Sequence, residues 1–358
     1  MTRRERQDRY RRMSRVVRKY RLLALTILMV NALLADCQRV TGVNVVGPFD
    51  ESLNEGTIAA LKALDVGWVG FTPEYMIDRQ SLEIVKEHVS DEWTHTIDGY
   101  RTFIQDCKSA DLKVVLKPHI VVGKTRYQDE RLVDSTSWRG DLLPIDERLW
   151  DVIEANYTAY ILEIAQLAAD EEVEVFFIGT EMKTFVEHRP QYWSELITDV
   201  NAIYSGYVSY SANWDNYQVV PFWEELDFIG VNAYFPINDN KVPTVRGTIS
   251  NWQPIITEMR DFSDQYGKQV LLTEYGYRSI DHAGAEPWLH VGQTPHTEAV
   301  EKAQYNLLRA FYESIWQQPF VAGGMLWNWP QVSPMCGNTD FTIQDKAAQD
   351  LLKVYFKE

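Results

Sequence analysis

The sequence contains few of the residues that would mark a disulfide framework or a metal site. It has three cysteines in 358 residues, and the two outside the N-terminal segment, Cys107 and Cys336, lie far apart in the chain. Two distant cysteines do not form a disulfide framework, and neither a CxxC nor an HExxH spacing occurs to indicate a bound metal. We therefore expect that the function requires no metal ion and no other cofactor.

Positive charge is scarce outside the first 36 residues. The formal net charge is −16, and residues 1–36 hold ten Lys or Arg against three Asp or Glu, a net of +7 that leaves −23 on the remainder. A body this acidic repels phosphate backbones, which argues against nucleic acid as a partner. The same charge suits a neutral ligand and an exposed, soluble protein.

The N-terminal apolar run is short for a membrane span. It follows the basic segment and covers about 14 residues, whereas a spanning helix needs about 20. A basic, then apolar, then small-residue order is typical of a secretory signal, so residues 1–39 are predicted to direct export to the periplasm, the cell surface or the exterior. The stretch LADC at 34–37 resembles a bacterial lipobox with lipidation at Cys37, although Asp36 replaces the usual small residue. Ordinary cleavage and an uncleaved anchor are the alternatives, and a membrane is expected as a partner only through this anchor or lipid.

Linkers, repeats and low-complexity runs are absent from residue 40 onward. Short apolar runs alternate there with amphipathic helical patterns, as expected for parallel strands buried on both faces. No GxGxxG follows the first strand, which argues against a doubly wound nucleotide-binding sheet. We predict one α/β domain over residues 40–358, a (β/α)₈ (TIM) barrel, expected to be a monomer. The predicted strands are 42–47, 66–73, 113–120, 174–182, 207–213, 227–235, 269–278 and 321–329, and the predicted helices are 55–65, 99–111, 147–171, 191–204, 252–267 and 297–317.

Two glutamates, Glu181 and Glu274, lie at the ends of the fourth and seventh predicted strands. Chemistry in such barrels occurs at the C-terminal strand ends, and the neighbouring strand ends supply amides and aromatic side chains. Cleaving a sugar acetal requires a proton for the leaving oxygen and electron density for the anomeric carbon, and a pair of carboxylates can supply both. The pattern favours glycoside hydrolysis by this pair, although a strand-end glutamate can also be a structural ion-pair partner.

Several motifs resemble the large clan A of retaining (β/α)₈ glycosidases and, within it, the β-mannanases of glycoside hydrolase family 113. The clan resemblance rests on IGTEM at 178–182 and LLTEYGYRS at 271–279. The family resemblance rests on GVNVVGPF at 42–49, LKPHI at 116–120, GVNAYFP at 230–236 and GGMLWNWP at 323–330. It extends over residues 41–357.

The resemblance implies roles for individual residues. Glu181 would be the general acid/base and Glu274 the nucleophile, with Tyr234 donating a hydrogen bond to the nucleophile carboxylate. Trp327 would form the floor on which a sugar ring stacks. Contacts to sugar hydroxyls, or to the two glutamates, are implied for Lys117, His119 and Asn232.

One position departs from the clan pattern. Many clan members have Asn immediately before the acid/base, where it bonds the sugar 2-hydroxyl, and this chain has Thr180 there. Because the 2-hydroxyl of mannose is axial, we expect Thr180, or a neighbouring amide such as Asn213, to make that contact.

The function predicted first is that of an exported retaining endo-β-1,4-mannanase acting on a neutral polysaccharide or oligosaccharide. An exo-β-mannosidase, a glucanase or a xylanase is the alternative in the same class, because the long insertion after the third strand, which contains Trp138, would lie over the mouth of the barrel. A glycan-binding lipoprotein without turnover is the alternative from a different class.

Overall fold

The computed structural model describes residues 39–47, 52–78, 81–85, 96–123, 127–128, 131–132, 138–144, 146–289, 294–332 and 337–357. Except for Arg39, the predicted signal segment 1–39, with Cys37, lies outside these residues. None of the helices within them is long and apolar enough to cross a membrane.

Eight parallel strands close into a barrel, in which each strand pairs with the next along the chain and the last pairs with the first. All eight correspond to predicted strands, so the prediction of a (β/α)₈ barrel is confirmed. The strands are β1 Val40–Val46, β2 Trp68–Phe71, β3 Lys113–Leu116, β4 Val175–Thr180, β5 Tyr207–Asn213, β6 Ile229–Asn232, β7 Val270–Tyr275 and β8 Val321–Pro330.

Helices flank the barrel, and several begin at a side-chain cap. A cap satisfies a backbone N–H of the first turn that has no partner within the helix. The helices are α1 Glu55–Ala63, α2 Ile97–Ser109, α3 Trp150–Asp170, α4 Lys183–His188, α5 Pro190–Ile203, α6 Val245–Tyr266, α7 Glu298–Tyr312 and α8 Gln349–Tyr355. The side chains that cap α1, α2, α6 and α7 are Asn54, Thr96, Thr244 and Thr297.

Two excursions leave the barrel after β2 and β3 and pair with each other. The strand Glu74–Asp78 runs parallel to His119–Gly123 and antiparallel to Ile84–Val85. The Tyr160 hydroxyl of α3 lies 2.8 Å from the Pro73 carbonyl oxygen and 3.1 Å from the His119 carbonyl oxygen. This small sheet is therefore attached to the barrel wall where its first residues, Glu74 and His119, lie side by side.

The helices and strands differ from the sequence predictions at several places, and the predicted third strand, 113–120, is divided into β3 and the excursion strand His119–Gly123. Strand β4 ends at Thr180 rather than 182, because Glu181 adopts a left-handed backbone with a φ of 53° that no strand can contain. The short helix α4 then follows at once and was not predicted. Helix α6 begins at Val245 rather than 252, with Pro254 in its interior, a position that proline normally disfavours.

The core has two parts. The larger cluster packs the outer faces of the strands against the helices. A smaller cluster, here called the barrel plug, fills the interior of the barrel. Its members are Val40, Trp68, Val115, Val175, Phe177, Phe228, Leu271 and Met325. The strands contribute to both clusters, which explains why they read as continuous apolar runs.

Candidate active site

A cavity of about 680 Å³ opens at the C-terminal ends of the barrel strands. Both strand-end glutamates line it, and it is rich in tryptophan. The lining residues are Val46, Thr72, Glu74, His119, Trp138, Arg139, Glu181, Asn213, Trp214, Asp215, Tyr234, Glu274, Trp288, Trp327 and Phe341.

Glu274 is buried on β7, and two donors hold its carboxylate. The Tyr234 hydroxyl donates to Oε2 at 2.8 Å, and the Lys117 ammonium forms a hydrogen-bonded ion pair with Oε1. Burial and the nearby Glu274 carboxylate hold the pKa of Tyr234 well above 10, so the phenol stays protonated as a donor. The carboxylate orientation is thus fixed from two sides.

Lys117, just after β3, and His119, at the start of the excursion strand, both lie near Glu274 but differ in charge. Burial lowers the pKa of Lys117, and its ion pair with Glu274 acts against that lowering. Burial and the positive charges of Arg139 and Lys117 hold the pKa of His119 well below 6.5, so this imidazole is neutral. His119 Nε2 lies 3.8 Å from Glu274 Oε1, beyond hydrogen-bond distance.

Glu181 follows β4 directly, and its left-handed backbone turns its side chain into the cavity. Such a conformation costs about 1–3 kcal/mol for a residue other than glycine, and these conformations cluster at functional sites. Asn232 Nδ2 donates to Oε1 at 2.8 Å, and Trp138 Nε1 donates to Oε2 at 3.1 Å. The Arg139 guanidinium lies 3.9 Å from the same Oε2.

Asn232 has its amide orientation set by two hydroxyls below the cavity. Its Oδ1 accepts from Ser211 at 2.8 Å and from Thr273 at 2.7 Å, which leaves Nδ2 to donate to Glu181. Thr273 precedes Glu274, and Asn232 is the register partner of Glu274 across β6 and β7. One hydrogen-bonded network therefore supports both glutamates.

Aromatic side chains form two surfaces in the cavity. Trp327 lies under Lys117 and His119, with the ammonium 5.7 Å from its ring centroid and the imidazole stacked at 6.4 Å. Trp214 and Trp288 stack on each other at 5.2 Å farther along the lining. Flat apolar faces of this kind suit the faces of sugar rings.

The remaining predicted residues lie at different distances from the open space. Asn213 lines the cavity, at the end of β5. Thr180 is buried, is not part of the lining, and its hydroxyl lies 3.4 Å from the Pro118 carbonyl oxygen. Lys117 and Asn232 likewise lie behind the glutamates and contact them directly.

Sequence reasoning missed several lining residues. Trp138 was placed in the insertion over the mouth, but its contact with Glu181 was not foreseen, and neither was that of Arg139. Glu74 was also missed, although the predicted second strand ended at Pro73 and the next residue had to lie at the mouth. That position is the signal that could have identified it.

In the parts of the chain that the structure describes, no group of three or more His, Cys, Asp or Glu side chains is arranged to hold a metal ion.

A closed (β/α)₈ barrel with two glutamates facing an aromatic-lined cavity is an arrangement typical of glycoside hydrolases. Comparison with known families makes the assignment more specific. The sequence matches Glycoside Hydrolase Family 113 over residues 42–346. The chain belongs to this family, as its motifs indicated.

Solved structures support the same fold. The GH113 β-mannanase AaManA from Alicyclobacillus acidocaldarius, in complex with ManMIm, aligns with 90% of this chain and 98% of its own at 22% identity and a TM-score of 0.72. A second structure, a GH113 β-1,4-mannanase complex, aligns with 90% of this chain and 99% of its own at 22% identity and a TM-score of 0.74. A β-glucuronidase from Ruminococcus gnavus shares the fold over 89% of this chain and 50% of its own, at 12% identity and a TM-score of 0.58. No curated protein matches the sequence.

Proposed function

We propose that the protein is a retaining endo-β-1,4-mannanase in which Glu274 is the nucleophile and Glu181 the general acid/base. One observation carries the proposal. Two glutamates, Glu274 on β7 and Glu181 directly after β4, face one cavity, and each is held by a different set of donors. Lys117 and Tyr234 bind Glu274, a set suited to an anionic nucleophile, whereas Asn232 and Trp138 bind Glu181.

The reaction would proceed in two displacements. Glu274 attacks the anomeric carbon while the bond to the leaving sugar breaks, and Glu181 gives its proton to the leaving oxygen. Water then attacks the glycosyl-enzyme, Glu181 takes a proton from that water, and the Glu274 carboxylate is released. Two inversions give net retention of the β configuration.

The substrate class is argued from the cavity and from the relatives. The protein body is acidic, and Trp327, Trp214 and Trp288 offer apolar ring faces to a neutral sugar chain. The GH113 structures that align with this chain are described as β-mannanases or β-1,4-mannanases. We therefore favour β-1,4-mannan over glucan or xylan.

Product analysis on soluble mannan, cellulose derivatives and xylan, with the matching oligosaccharides, tests the substrate and the mode of action. We expect mannan to be cleaved internally to short oligosaccharides. Release of mannose alone from a chain end would make the enzyme an exo-β-mannosidase. Tight glycan binding without new reducing ends would make it a binding protein.

Rescue with azide tests the two roles separately. With an activated aryl β-manno-oligosaccharide, Glu181→Ala should regain turnover and form the β-glycosyl azide, because azide attacks the glycosyl-enzyme. Glu274→Ala should form the α-glycosyl azide, because azide replaces the missing carboxylate on the opposite face. Exchanged anomers would reverse the two assignments.

The proposal extends to the cell biology of the chain. A basic segment followed by a short apolar run supports export, and LADC at 34–37 supports lipidation at Cys37. Mass analysis of the mature N-terminus after expression of the full chain would test this. A start at Cys37 with added acyl mass is expected, and an unprocessed cytoplasmic chain would contradict export. Sedimentation of the exported protein should give a monomer.

A further inference from the structure

Glu74 is a third carboxylate in the cavity, in addition to the two strand-end glutamates. It is the first residue of the excursion strand Glu74–Asp78, and its register partner across the small parallel sheet is His119. Paired residues in a parallel ladder project to the same face. Both side chains line the cavity, so Glu74 and His119 present one polar edge to it.

The Glu74 carboxylate has no protein partner among the described residues. Its backbone N–H donates to the Tyr100 hydroxyl at 3.3 Å, but neither carboxylate oxygen accepts a hydrogen bond or forms an ion pair there. Burial raises the pKa of Glu74, and the charge of Arg139 acts against this rise without forming an ion pair with Glu74. The side chain is only partly buried, so its carboxyl group can bond a molecule that enters the cavity.

His119 beside it is also unsatisfied. Its Nε2 is buried without a hydrogen-bond partner in the described part of the chain, and its side chain is only 7% exposed. Two adjacent polar side chains that line one cavity can be bonded by the same ligand. Because the imidazole is neutral and the group beside it is a carboxyl, the ligand groups that fit are hydroxyls rather than anions.

The position of this edge indicates which part of a substrate it meets. His119 stacks on Trp327 and lies close to Glu274, both on the nucleophile side of the cleaved bond. The leaving sugar would instead extend past Glu181. An edge that contains His119 is therefore on the glycone side.

We propose that Glu74 is a substrate-binding residue whose carboxylate accepts hydrogen bonds from hydroxyls of the glycone sugars, beside His119. This inference rests on the proposed glycanase function and adds a binding residue to the same cavity. Neighbouring hydroxyls of a neutral pyranose are suited to both carboxylate oxygens at once.

Calorimetry on an inactive Glu274→Gln background tests the assignment without turnover. The titrants are mannotetraose, cellotetraose and xylotetraose, and the variants add Glu74→Gln or Glu74→Ala. Hydrogen bonds to a charged group contribute about 1.5–3 kcal/mol, so Glu74→Ala should weaken the affinity by roughly 10- to 100-fold. Glu74→Gln, which keeps the shape and one acceptor, should lie between. Glu83→Gln, an exposed position in the same excursion, should change nothing.

The outcomes separate the two proposals. Binding of cellotetraose or xylotetraose in place of mannotetraose would overturn the mannan assignment, while a loss of that binding in Glu74→Ala would still support Glu74. Affinity within twofold for both Glu74 variants, with thermal unfolding like the parent, would overturn Glu74 alone. Binding of none of the three sugars would overturn both. If Glu74→Ala fails to fold, the isosteric Glu74→Gln decides, and an unchanged affinity there contradicts the proposal.

Discussion

The two ends of the barrel interior bury different kinds of side chain. The barrel plug consists of apolar residues, Phe177, Leu271 and Met325 among them. The C-terminal end buries Lys117 and Glu274 instead. Removing apolar surface from water stabilises the fold by about 25 cal/mol per Å², whereas removing charges from water costs free energy that even a good ion pair often only offsets.

The apolar end of the barrel interior therefore accounts for stability, and the charged end is assigned to the proposed function. The plug explains why the strands close around a filled interior. The buried charges contribute little net stability, so we attribute their presence to the function proposed for the cavity.

The largest effect is expected from Glu274, the proposed nucleophile. Glu274→Gln keeps the shape and a hydrogen-bond acceptor but removes the anion, so kcat on manno-oligosaccharides should fall by more than about 10⁴-fold. Steady-state kinetics measures this loss. Glu195→Gln, on the exposed face of α5, is the matched control and should retain activity. A Glu274→Gln enzyme within tenfold of the wild type would remove Glu274 from the mechanism.

The ion pair at the mouth should respond differently to single and double substitution. Lys117→Met leaves Glu274 buried without its cation and should lower the free energy of unfolding by about 3–5 kcal/mol. Lys117→Met combined with Glu274→Met removes both charges and should restore most of it, although the buried Tyr234 hydroxyl loses its acceptor. Chemical denaturation of the three proteins measures this, and activity should be absent in the double variant. Equal destabilisation of single and double variants would contradict the view that the pair serves the ligand.

Deletion in the plug should affect stability alone. Leu271→Ala removes a fully buried side chain from the barrel interior and should cost about 2–5 kcal/mol of unfolding free energy. The kcat per folded molecule should remain near that of the wild type. Val219→Ala, at a position 60% exposed, is the control and should change stability little. A large loss of kcat in folded Leu271→Ala would show that the two ends are coupled.

The smallest effect concerns Lys346, a second buried amine in addition to Lys117. Burial lowers the pKa of Lys346 from 10.5 to about 8, with Glu301 and Asp340 acting against this and Arg278 adding to it. The charged amine therefore opposes folding at neutral pH, and this cost is relieved as the pH rises above about 8. Relative to Lys346→Met, the wild type should gain about 1 kcal/mol of stability between about pH 7.5 and about pH 9. Lys353→Met, at an exposed position, is the control, and its unfolding free energy should depend on pH as that of the wild type does. If the unfolding free energy of Lys346→Met also followed the pH dependence of the wild type, the lowered pKa of Lys346 would be contradicted.

The architecture was predictable from the sequence because the eight strands are apolar runs that alternate with amphipathic helical patterns. Continuous apolar runs identified the eight strands, and strand ends identified Glu181 and Glu274, since the barrel topology gathers those ends at one face. The family resemblance then indicated Tyr234 and Trp327. All four side chains line the cavity, while their roles stay predictions.

The parts that escaped prediction depend on irregular backbone. Trp138 and Arg139 come from the excursion after β3, where no period of 2 or 3.6 residues reports which side chain faces the cavity, whereas Glu74 was overlooked although its place directly after the second predicted strand indicated it. The position of Thr180 could not be foreseen either. The backbone of Glu181 is left-handed, and no pattern in the sequence predicted this conformation. The hydroxyl of the preceding Thr180 lies toward the Pro118 carbonyl oxygen and not in the cavity.

The central claim, double displacement by Glu274 and Glu181, is tested most directly by the configuration of the first product. A ¹H NMR time course of manno-oligosaccharide hydrolysis by the wild-type enzyme would follow the anomeric protons before mutarotation. Retention predicts that the β anomer appears first and then equilibrates with the α anomer. Appearance of the α anomer first would contradict the account, because it would require a single displacement by water.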